Sequence, residues 1–333
     1  MTKLKVVITR QLSADAQKLL DDVTDLHVVQ WPSEKPCDRS WLLEHAKGAS
    51  GILVMLTDKC DEEVIATAGP QLKVVASFSV GTDHVDRPAL KSRNIRLGYT
   101  PTSLTDAVAD LTVMLVLMAQ RRGGEAMRAV IDGKWPQMPW HPFLLTGPQI
   151  RGCTVGFLGF GRIAQATLKR LVPFGIKRAI YLTSKPGKIV KEADGFGVPT
   201  ESIGSIEELA TDSDVVIVGC PLTEQTKYIV NAEFLARMKK TAVLINIARG
   251  PVVDTDALTS ALDQGQIFGA GLDVIENEPN IQADHALLKQ PRCVLLPHIG
   301  SAAIETREEM AIESVKNLLA GLNGEAMVNE YEL

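Results

Sequence analysis

The stretch TVGFLGFGRIAQATL, residues 154–168, limits the possible folds more than any other part of the chain. An apolar run ends at Gly159, and Gly161 and Ala164 complete a G-x-G-x-x-A pattern that opens an amphipathic segment. Gly159 permits a tight turn, Gly161 lets the backbone approach a pyrophosphate, and Ala164 lets helix and strand lie close together. The N–H groups at the start of the helix can bind phosphates. Glycines also close ordinary strand-to-helix turns, but in this context the motif predicts dinucleotide binding.

Short apolar runs alternate with longer amphipathic segments along the whole chain, a pattern typical of parallel sheets joined by helical crossovers. The pattern occurs twice. The first series has five candidate strands, at residues 5–9, 26–31, 51–56, 73–79 and 95–100. The second series has six, at residues 154–159, 179–183, 214–219, 242–247, 269–274 and 293–297. We therefore predict an α/β protein with two doubly wound parallel sheets, the second of them Rossmann-type.

Two helices are expected to join the halves. The first begins at Thr105 or Asp106 and runs to Gly123, and apolar residues surround its axis, which predicts burial between the domains. The second begins at a Ser301 cap. Apolar residues then recur at helical spacing, at Ile304, Ala311, Val315, Leu318, Leu319 and Leu322. We expect the last segment, about 30 residues long, to pack back on the first domain.

Composition argues against several classes of partner. The 333 residues have a formal net charge of −5 with the signs well mixed, so we expect no nucleic-acid partner. No apolar run is long enough to cross a bilayer and no signal-type segment opens the chain, so we expect a soluble, cytoplasmic protein without a membrane partner. The cysteines form an odd, widely spaced set without a C-x-x-C pair, which predicts reduced, mostly buried thiols and no metal site.

The segment YLTSKPGK, residues 181–188, bears on the choice between NAD(H) and NADP(H). An acid about 20 residues beyond the glycines would hold the ribose 2′-hydroxyl of NAD, and this segment contains none. Its hydroxyl and ammonium groups can instead donate to, or lie near, a 2′-phosphate, at Thr183, Ser184, Lys185 and Lys188. We therefore predict that NADP(H) is preferred and NAD(H) is possible. The alternative is that the lysines belong to an ordinary solvated loop.

Three ionisable residues follow candidate strands of the second sheet: Arg249, Glu278 and His298. Ligands of open parallel sheets lie outside the carboxyl ends of the strands, so these side chains are expected to converge there. Each has an ordinary alternative: Arg249 could cap a strand end, Glu276 or Glu278 could be a surface acid, and a lone histidine is more often structural. Together at the strand ends of a dinucleotide-binding sheet, they predict a catalytic site.

Longer motifs resemble the D-2-hydroxyacid dehydrogenase family, and the resemblance covers nearly the whole chain. They are SFSVGTDHVD (77–86), the glycine motif, LINIARGPVVDTDAL (244–258), GLDVIENEP (271–279) and LLPHIGSA (295–302). The resemblance implies a smaller flavodoxin-like substrate domain, residues 1–104 and 301–333, and a Rossmann-type coenzyme domain, residues 105–300. It further implies an active site in the cleft between them and a homodimer that pairs the coenzyme domains.

The resemblance also implies roles for the three ionisable residues. Arg249 matches the arginine that binds the substrate's carboxylate and 2-oxo group, Glu278 the acid partner and His298 the general acid/base. The chemistry agrees, because a guanidinium fork suits the planar face of a 2-oxo acid. Hydride delivery leaves an alkoxide, which imidazolium is suited to protonate at about neutral pH. A carboxylate on the far ring nitrogen would fix the tautomer of the histidine and favour its charged form.

Further positions are implied by the same resemblance. Val80 and Gly81 match backbone donors to the substrate carboxylate, and Ser301 also matches a substrate contact. The implied cofactor contacts are Thr105, Gly159, Gly161, Arg162, Ile163, Thr183, Ser184, Lys185, Cys220, Pro221, Thr226, Ile247, Arg249, Asp273, His298, Gly300 and Ser301, with Asp273 near the nicotinamide carboxamide. His84 is taken as structural or as a support to the site. The remaining histidines match no catalytic position, namely His27, His45, His141 and His285.

The segment 123–150 contains Trp135, Trp140 and Phe143 in a region rich in proline and glycine. The family resemblance implies a dimerisation arm in which Trp140 reaches the neighbour's active site, while packing within one subunit is the alternative. The stretches GKWPQMPWHPFLLTG and RLVPFGIKRAIYLT most resemble glyoxylate/hydroxypyruvate reductases of the eukaryotic type. This implies NADPH-dependent reduction of glyoxylate to glycolate and of hydroxypyruvate to D-glycerate.

One departure and two alternatives accompany this prediction. Where the subgroup has an arginine for the 2′-phosphate, this chain has Ser184 followed by Lys185, which predicts a weaker cofactor preference. An enzyme like 3-phosphoglycerate dehydrogenase would share the fold and the three site residues. A nucleotide-sensing corepressor of the C-terminal-binding-protein type would also share them, but would bind the cofactor without appreciable turnover.

Overall fold

A computed structural model of the chain describes residues 3–187, 189–190 and 195–333. Lys188, which the sequence placed near a 2′-phosphate, lies outside the described residues. The chain forms two compact units, which we call unit 1 (Met1–Leu104 with Ser301–Leu333) and unit 2 (Thr105–Gly300). Their roles as substrate domain and coenzyme domain stay predictions.

The first part of unit 1 alternates strands and helices. In order these are β1 (Leu4–Ile8), α1 (Ala14–Asp21), β2 (Leu26–Gln30), α2 (Arg39–Ala46), β3 (Gly51–Val54), α3 (Glu62–Ala68), β4 (Val74–Ser77), α4 (Arg87–Ser92) and β5 (Arg96–Gly98). The strands pair in parallel in the order β2-β1-β3-β4-β5. Strands β3 and β4 are buried along their whole length, as expected for a parallel sheet covered on both faces.

Unit 2 begins with two helices and continues as a larger sheet. Its elements are α5 (Thr105–Gln120), α6 (Gly123–Ile131), β6 (Thr154–Leu158), α7 (Arg162–Leu171), β7 (Arg178–Leu182), β8 (Thr200–Ser202), α8 (Ile206–Asp212), β9 (Val215–Val218), α9 (Ala232–Arg237), β10 (Val243–Asn246), α10 (Thr255–Asp263), β11 (Gly269–Leu272), α11 (Ala286–Lys289) and β12 (Cys293–Leu295). All pairings are parallel, in the order β12-β11-β10-β9-β6-β7-β8. The predicted α/β class with two doubly wound parallel sheets is confirmed.

The long helix α12 (Ile304–Asn323) returns the chain to unit 1. It packs on β3, β4 and β5, and Leu318 and Leu322 are buried in the core there. The expected Ser301 cap is wrong: Ala303 is the N-cap residue and makes no side-chain cap bond. Arg307 Nε donates instead to the Ser301 carbonyl at 3.1 Å. Ile304, expected in the apolar stripe, is 85% exposed because it lies in the first turn.

Two other expectations need correction. The second sheet has a seventh strand in the described residues, β8, which the sequence did not indicate. Its residues TES are polar and only partly buried, so they lack the apolar run by which the other strands were recognised. Segment 123–150, for which the sequence indicated only a region rich in proline and glycine, begins with a helix, since α6 occupies its first third.

Helix α5 is buried within unit 2 on several sides, which explains the apolar residues around its axis. It packs against α7 on one side and against β10, β11 and β12 on another. Arg170 of α7 ties the two helices together by contacting Asp106 at 2.9 Å and Asp110 at 2.5 Å. The amino end of α5 therefore lies beside the carboxyl end of α7.

The five cysteines have free thiols, and most of them are buried. Four of the five cysteines are buried and Cys37 is half-buried. Burial raises the pKa of Cys60 and Cys293 to about 12. No helix among the described residues is long and apolar enough to cross a membrane.

Candidate functional site

Three neighbouring strands of unit 2 bring the predicted catalytic residues to one edge of the sheet. Strands β10, β11 and β12 are parallel neighbours, so their carboxyl ends lie side by side. Arg249 follows β10, Glu278 follows β11 and His298 follows β12. The strand order therefore places these residues after neighbouring strand ends, although they are far apart in the sequence.

Glu278 and His298 are in direct contact. Nδ1 of the imidazole lies 2.7 Å from Oε1 of Glu278. The second carboxylate oxygen accepts a hydrogen bond from the Ile275 N–H at 3.0 Å, which fixes the acid on its own loop. Because an ionised carboxylate only accepts, Nδ1 is the donor, and Nε2 is the nitrogen that faces away from this contact. Both side chains are about 30% exposed, so they are accessible without being fully solvated.

The backbone at His298 is held in an unusual conformation. Its φ angle is +53°, in the left-handed region that residues other than glycine seldom adopt. Such strain persists only where neighbouring contacts hold it, and it is concentrated at functional sites. Here the contacts come from Asp273, whose main-chain oxygen accepts from the His298 N–H at 2.9 Å.

The side chain of Asp273 also fixes the backbone that follows His298. Its two carboxylate oxygens accept from the N–H groups of Ile299 at 2.8 Å and Gly300 at 2.7 Å. The residue is 2% exposed, and this burial raises the pKa of its carboxyl group, while the two N–H donors act in the opposite direction. The sequence placed Asp273 near the cofactor but did not indicate that it shapes the histidine loop.

Arg249 lies on an equally constrained turn. The buried Asn246 side chain donates to the Arg249 carbonyl at 3.0 Å and accepts from the Ala248 N–H at 3.0 Å. The Arg249 guanidinium donates to the Ala248 carbonyl through Nη1 at 2.8 Å. Gly250 packs directly on the next loop, since a Cβ there would lie 2.1 Å from the carbonyl carbon of Ile275. The arginine turn and the Glu278 loop are thus in mutual contact.

Tyr228 is a residue of this region that sequence reasoning missed. Its hydroxyl is hydrogen-bonded to Glu276, and its N–H donates to the Pro251 carbonyl at 2.8 Å. The hydrogen bond to Glu276 raises the pKa of the phenol. Tyr228 has a φ of +52°, so a bulky residue is held in a left-handed conformation. The motif TKYIV has no feature by which this contact could have been recognised.

The glycine motif forms the turn that the sequence predicted. Gly159 has a φ of +91°, and a Cβ there would lie 2.8 Å from the Cys220 backbone nitrogen. Gly161 is the N-cap of α7 and makes no side-chain cap bond, so the first N–H groups of the helix face a position without a capping side chain. A Cβ at Gly161 would meet no atom within 4 Å.

Several other predicted cofactor positions also lie in unit 2. The Thr105 hydroxyl is buried at the start of α5 and has no hydrogen-bond partner among the described residues. Thr226 Oγ1 donates to the Pro221 carbonyl at 2.7 Å, which closes the loop after β9. Burial raises the pKa of the Cys220 thiol to about 11, so this side chain is neutral at physiological pH. Ile247 follows β10 directly, and Arg162 and Ile163 form the first turn of α7.

The loop after β7 contains the residues predicted to select the nucleotide. Thr183 Oγ1 donates to the Lys185 carbonyl at 3.0 Å and accepts from its N–H at 3.3 Å, which closes a tight turn. Ser184 and Lys185 are exposed on this turn. The hydroxyl hydrogen of Thr183 is therefore already engaged, and the exposed donors of the turn are Ser184 and Lys185.

Unit 1 contains three further residues that the sequence predicted to contact the substrate. Val80 and Gly81 lie on the loop that follows β4, and both are half-buried. Ser301 lies in the turn before α12. The structure therefore places these three residues in a different compact unit from Arg249, Glu278 and His298.

The arm is the most exposed apolar part of the described chain. Helix α6 has no buried residue, and Arg128 at its end donates to the Gln290 carbonyl at 2.8 Å. Large apolar side chains are exposed along the helix and the segment after it, with Met127 55%, Val130 57%, Ile131 77%, Trp135 59%, Trp140 91% and Phe143 78% exposed. Packing of Trp140 within one subunit, the alternative that the sequence left open, is wrong for this structure.

The four histidines that match no catalytic position have ordinary surroundings. His45 stacks on Trp41 at 4.2 Å between ring centroids, and Nδ1 of His285 accepts from the Leu287 N–H at 3.2 Å. His27 lies on β2 and is exposed, and His141 accepts from the Phe143 N–H. No group of three or more metal-ligating side chains occurs within the described ranges.

Comparison with known proteins gives consistent matches over the whole chain. Residues 113–300 match the family model described as "D-isomer specific 2-hydroxyacid dehydrogenase, NAD binding domain". The human glyoxylate reductase/hydroxypyruvate reductase is 43% identical over 330 residues, which cover 99% of this chain and 98% of the human protein. A glyoxylate reductase from Pyrococcus horikoshii is 40% identical and covers 97% of this chain and 94% of its own length.

A solved structure agrees with these matches. It is an NADPH-dependent glyoxylate/hydroxypyruvate reductase from Sinorhizobium meliloti in complex with NADP and malonate. The two chains superpose with a TM-score of 0.83 at 33% identity, over 99% of this chain and 97% of the other.

Two glycines of the site provide a matched test of this geometry. Gly250→Ala should lower the melting temperature by several degrees, because its Cβ has no room beside Ile275 and overpacking costs about 1–3 kcal/mol. Gly161→Ala should leave the melting temperature within about 1 °C, because its Cβ would occupy open space. Thermal denaturation without added nucleotide measures both. Equal stability of the two variants would contradict the packing described for the Arg249 turn.

Proposed function

Since this chain belongs to the D-isomer specific 2-hydroxyacid dehydrogenase family of NAD(P)-dependent enzymes, we propose that it reduces glyoxylate to glycolate and hydroxypyruvate to D-glycerate. The observation that carries the proposal is the contact between Glu278 and His298 beside the strand that leads to Arg249. The names of the similar proteins from human and Pyrococcus horikoshii support this substrate class.

The residues of unit 2 fit a nicotinamide dinucleotide. The open space at Gly161 and the uncapped start of α7 suit a pyrophosphate, because helix N-termini bind anions through free N–H groups. The buried Thr105 hydroxyl lacks a partner among the described residues, and a buried polar group of this kind requires one. We propose that the cofactor is held by these residues together with the other positions predicted from the sequence. When bound, it supplies the hydride that the reduction requires.

Arg249 and His298 have complementary tasks in the proposed reaction. The guanidinium group presents a planar fork to the carboxylate of a 2-oxo acid, and its positive charge polarises the neighbouring carbonyl group. Negative charge develops on the carbonyl oxygen as it is reduced, and His298 donates a proton to it from Nε2. Glu278 holds the ring through Nδ1 and stabilises the imidazolium before the proton leaves. Val80 and Gly81 are proposed to donate backbone N–H groups to the substrate carboxylate.

Replacement of His298 by asparagine removes the proton donor while keeping a residue that tolerates the left-handed backbone. His298→Asn should lower kcat/KM for glyoxylate about 10²- to 10⁴-fold, the usual contribution of general acid catalysis, while NADPH still binds. Asparagine tolerates the left-handed backbone that His298 adopts, so the loss should not reflect misfolding. His27→Asn, at an exposed position of β2, is the matched control. Steady-state oxidation of NADPH measures activity, and fluorescence titration measures binding; full activity of His298→Asn would refute the mechanism.

The assay also discriminates between the alternative functions. Reduction of 3-phosphohydroxypyruvate in preference to glyoxylate would favour an enzyme like 3-phosphoglycerate dehydrogenase. Binding of NADPH without measurable reduction of any 2-oxo acid would favour a nucleotide sensor of the corepressor type.

We further propose that NADP(H) is the preferred cofactor. The exposed turn at residues 183–187 contains no acid that would repel a 2′-phosphate, and Lys185 and Ser184 are exposed on it. The solved Sinorhizobium meliloti relative in complex with NADP supports the same choice.

A charge reversal tests the cofactor preference. The unmodified protein should show a lower KM for NADPH than for NADH, and Lys185→Asp should reverse the order because an acid repels the 2′-phosphate and can accept from a ribose hydroxyl. Lys177→Asp is the matched control, since Lys177 is exposed at the opposite end of β7 and changes the net charge equally. A lower KM for NADH in the unmodified protein would contradict the assignment.

We propose a homodimer in which the arm, residues 123–150, is covered by a second copy. Met127, Val130 and Ile131 are spaced to share one face of α6, and all three are more than half exposed. Contiguous apolar surface of this kind usually marks an interaction site. Trp140, at 91% exposure, is proposed to reach the partner subunit and to narrow its site towards small substrates.

Two substitutions in the arm test the dimer. Ile131→Asp should yield a monomer in sedimentation velocity, because a charge in an apolar interface is left unpaired and desolvated. Val328→Asp, at a position 58% exposed outside the arm, should leave the mass unchanged. Trp140→Ala should raise kcat/KM for bulkier 2-oxo acids relative to hydroxypyruvate. An unaltered mass for Ile131→Asp would remove the proposed interface, and an unaltered preference for Trp140→Ala would remove the role of the tryptophan.

A further inference from the structure

The loop after β4 presents two neighbouring backbone donors. Within residues 3–187, 189–190 and 195–333, the N–H groups of Val80 and Gly81 donate no hydrogen bond to a protein acceptor. Successive N–H groups on such a loop form a concavity that suits an anion. These two residues are the proposed donors to the substrate carboxylate, so whatever fixes their orientation sets how well that carboxylate is bound.

A chain of side-chain hydrogen bonds lies behind this loop. Ser79 Oγ donates to the Gly81 carbonyl at 2.7 Å. Ser77 Oγ lies 2.6 Å from Ser79 Oγ, and His84 Nε2 lies 3.0 Å from Ser77 Oγ. Ser77 is fully buried and Ser79 is 2% exposed, so water does not compete for these bonds. The chain therefore links His84 to the Gly81 carbonyl without interruption.

The number of protons fixes the direction of this chain. A hydroxyl has one hydrogen to donate, and Ser79 uses its hydrogen on the Gly81 carbonyl. Ser79 must then accept from Ser77, and Ser77 must in turn accept from His84. Nε2 of His84 is therefore the donor that starts the chain. Bonds aligned in this way polarise one another, so each strengthens the next.

Backbone hydrogen bonds hold both ends of the chain in place. The His84 carbonyl accepts from the Cys60 N–H at 2.9 Å, and the Ser79 carbonyl accepts from the Thr100 N–H at 2.9 Å. The Val85 N–H donates to the Thr82 carbonyl at 3.1 Å, which closes the turn between the loop and the histidine. The Gly81 carbonyl, by contrast, is oriented by the Ser79 side chain, so its direction depends on the hydrogen bonds that run from His84 through Ser77 to Ser79.

We propose that His84 is a positioning residue for substrate binding. By donating to Ser77 it orders the two serines. The bond from Ser79 Oγ to the Gly81 carbonyl closes a ring over residues 79–81, which restricts the backbone torsions of Val80 and Gly81 and so directs their N–H groups at the carboxylate of the 2-oxo acid. This inference rests on the proposed function. The carboxylate is present in both the substrate and the transition state, so the loop binds both equally well. Loss of His84 should therefore raise KM and leave kcat unchanged.

Substitutions of His84 test the proposal. His84→Leu should raise KM for glyoxylate about 3- to 10-fold, equivalent to about 1 kcal/mol for a lost hydrogen bond, with kcat within about 2-fold. The inhibition constant of oxalate, a carboxylate that is not reduced, should rise by the same factor. His84→Gln should restore both constants to within about 2-fold, because its amide nitrogen can donate to Ser77. NADPH affinity should be unchanged in both variants.

Ser79→Ala removes the last bond of the chain and keeps the test informative if His84→Leu does not fold. It should raise the same two constants as His84→Leu. Ser92→Ala, which removes an exposed hydroxyl from α4 of the same unit, is the control and should change neither.

The outcomes distinguish this inference from the function on which it rests. If the unmodified protein reduces no 2-oxo acid, the proposed function fails and the inference fails with it. If the unmodified protein is active but KM and the oxalate constant do not change in His84→Leu and Ser79→Ala, only the inference fails. A fall in kcat at unchanged KM, or equal defects in His84→Leu and His84→Gln, would also overturn it.

Discussion

The order of three parallel strands is the constraint on which the proposed chemistry depends. Because β10, β11 and β12 are neighbours and run in the same direction, residues far apart in sequence follow strand ends that lie side by side. An antiparallel strand in this position would send its carboxyl end to the opposite edge of the sheet. The contact between Glu278 and His298 is thus possible only because the sheet topology places their two loops side by side.

Buried polar side chains convert this coarse arrangement into a defined geometry. Asn246 holds the Arg249 turn, and Asp273 holds the strained backbone at His298. In unit 1, Ser77 and Ser79 act in the same way on the loop at Gly81. In each case a side chain that is almost fully buried bonds to the backbone of the loop that contains the proposed functional residue. Such bonds are strong because water does not compete for them.

The sequence predicted those parts of the protein that depend on local patterns. Apolar runs indicated eleven strand positions, and the glycine motif indicated the turn at Gly159 and Gly161. The sequence did not indicate β8, because its three residues are polar. It also suggested Ser301 as the cap of α12, because a serine precedes the apolar stripe, whereas Ala303 is the N-cap. The supporting contacts of Asp273, Asn246 and Tyr228 could not be predicted, because they join segments that no local pattern relates.

Substrate binding and proton transfer should respond differently to substitution. His298 acts on charge that develops during the reaction, so its loss belongs in the catalytic step. The loop at Val80 and Gly81 binds a carboxylate whose charge does not change, so disturbing it affects ground state and transition state alike. The two sets of residues lie in different compact units and are held by separate hydrogen-bond networks, so a substitution in one network leaves the hydrogen bonds of the other in place.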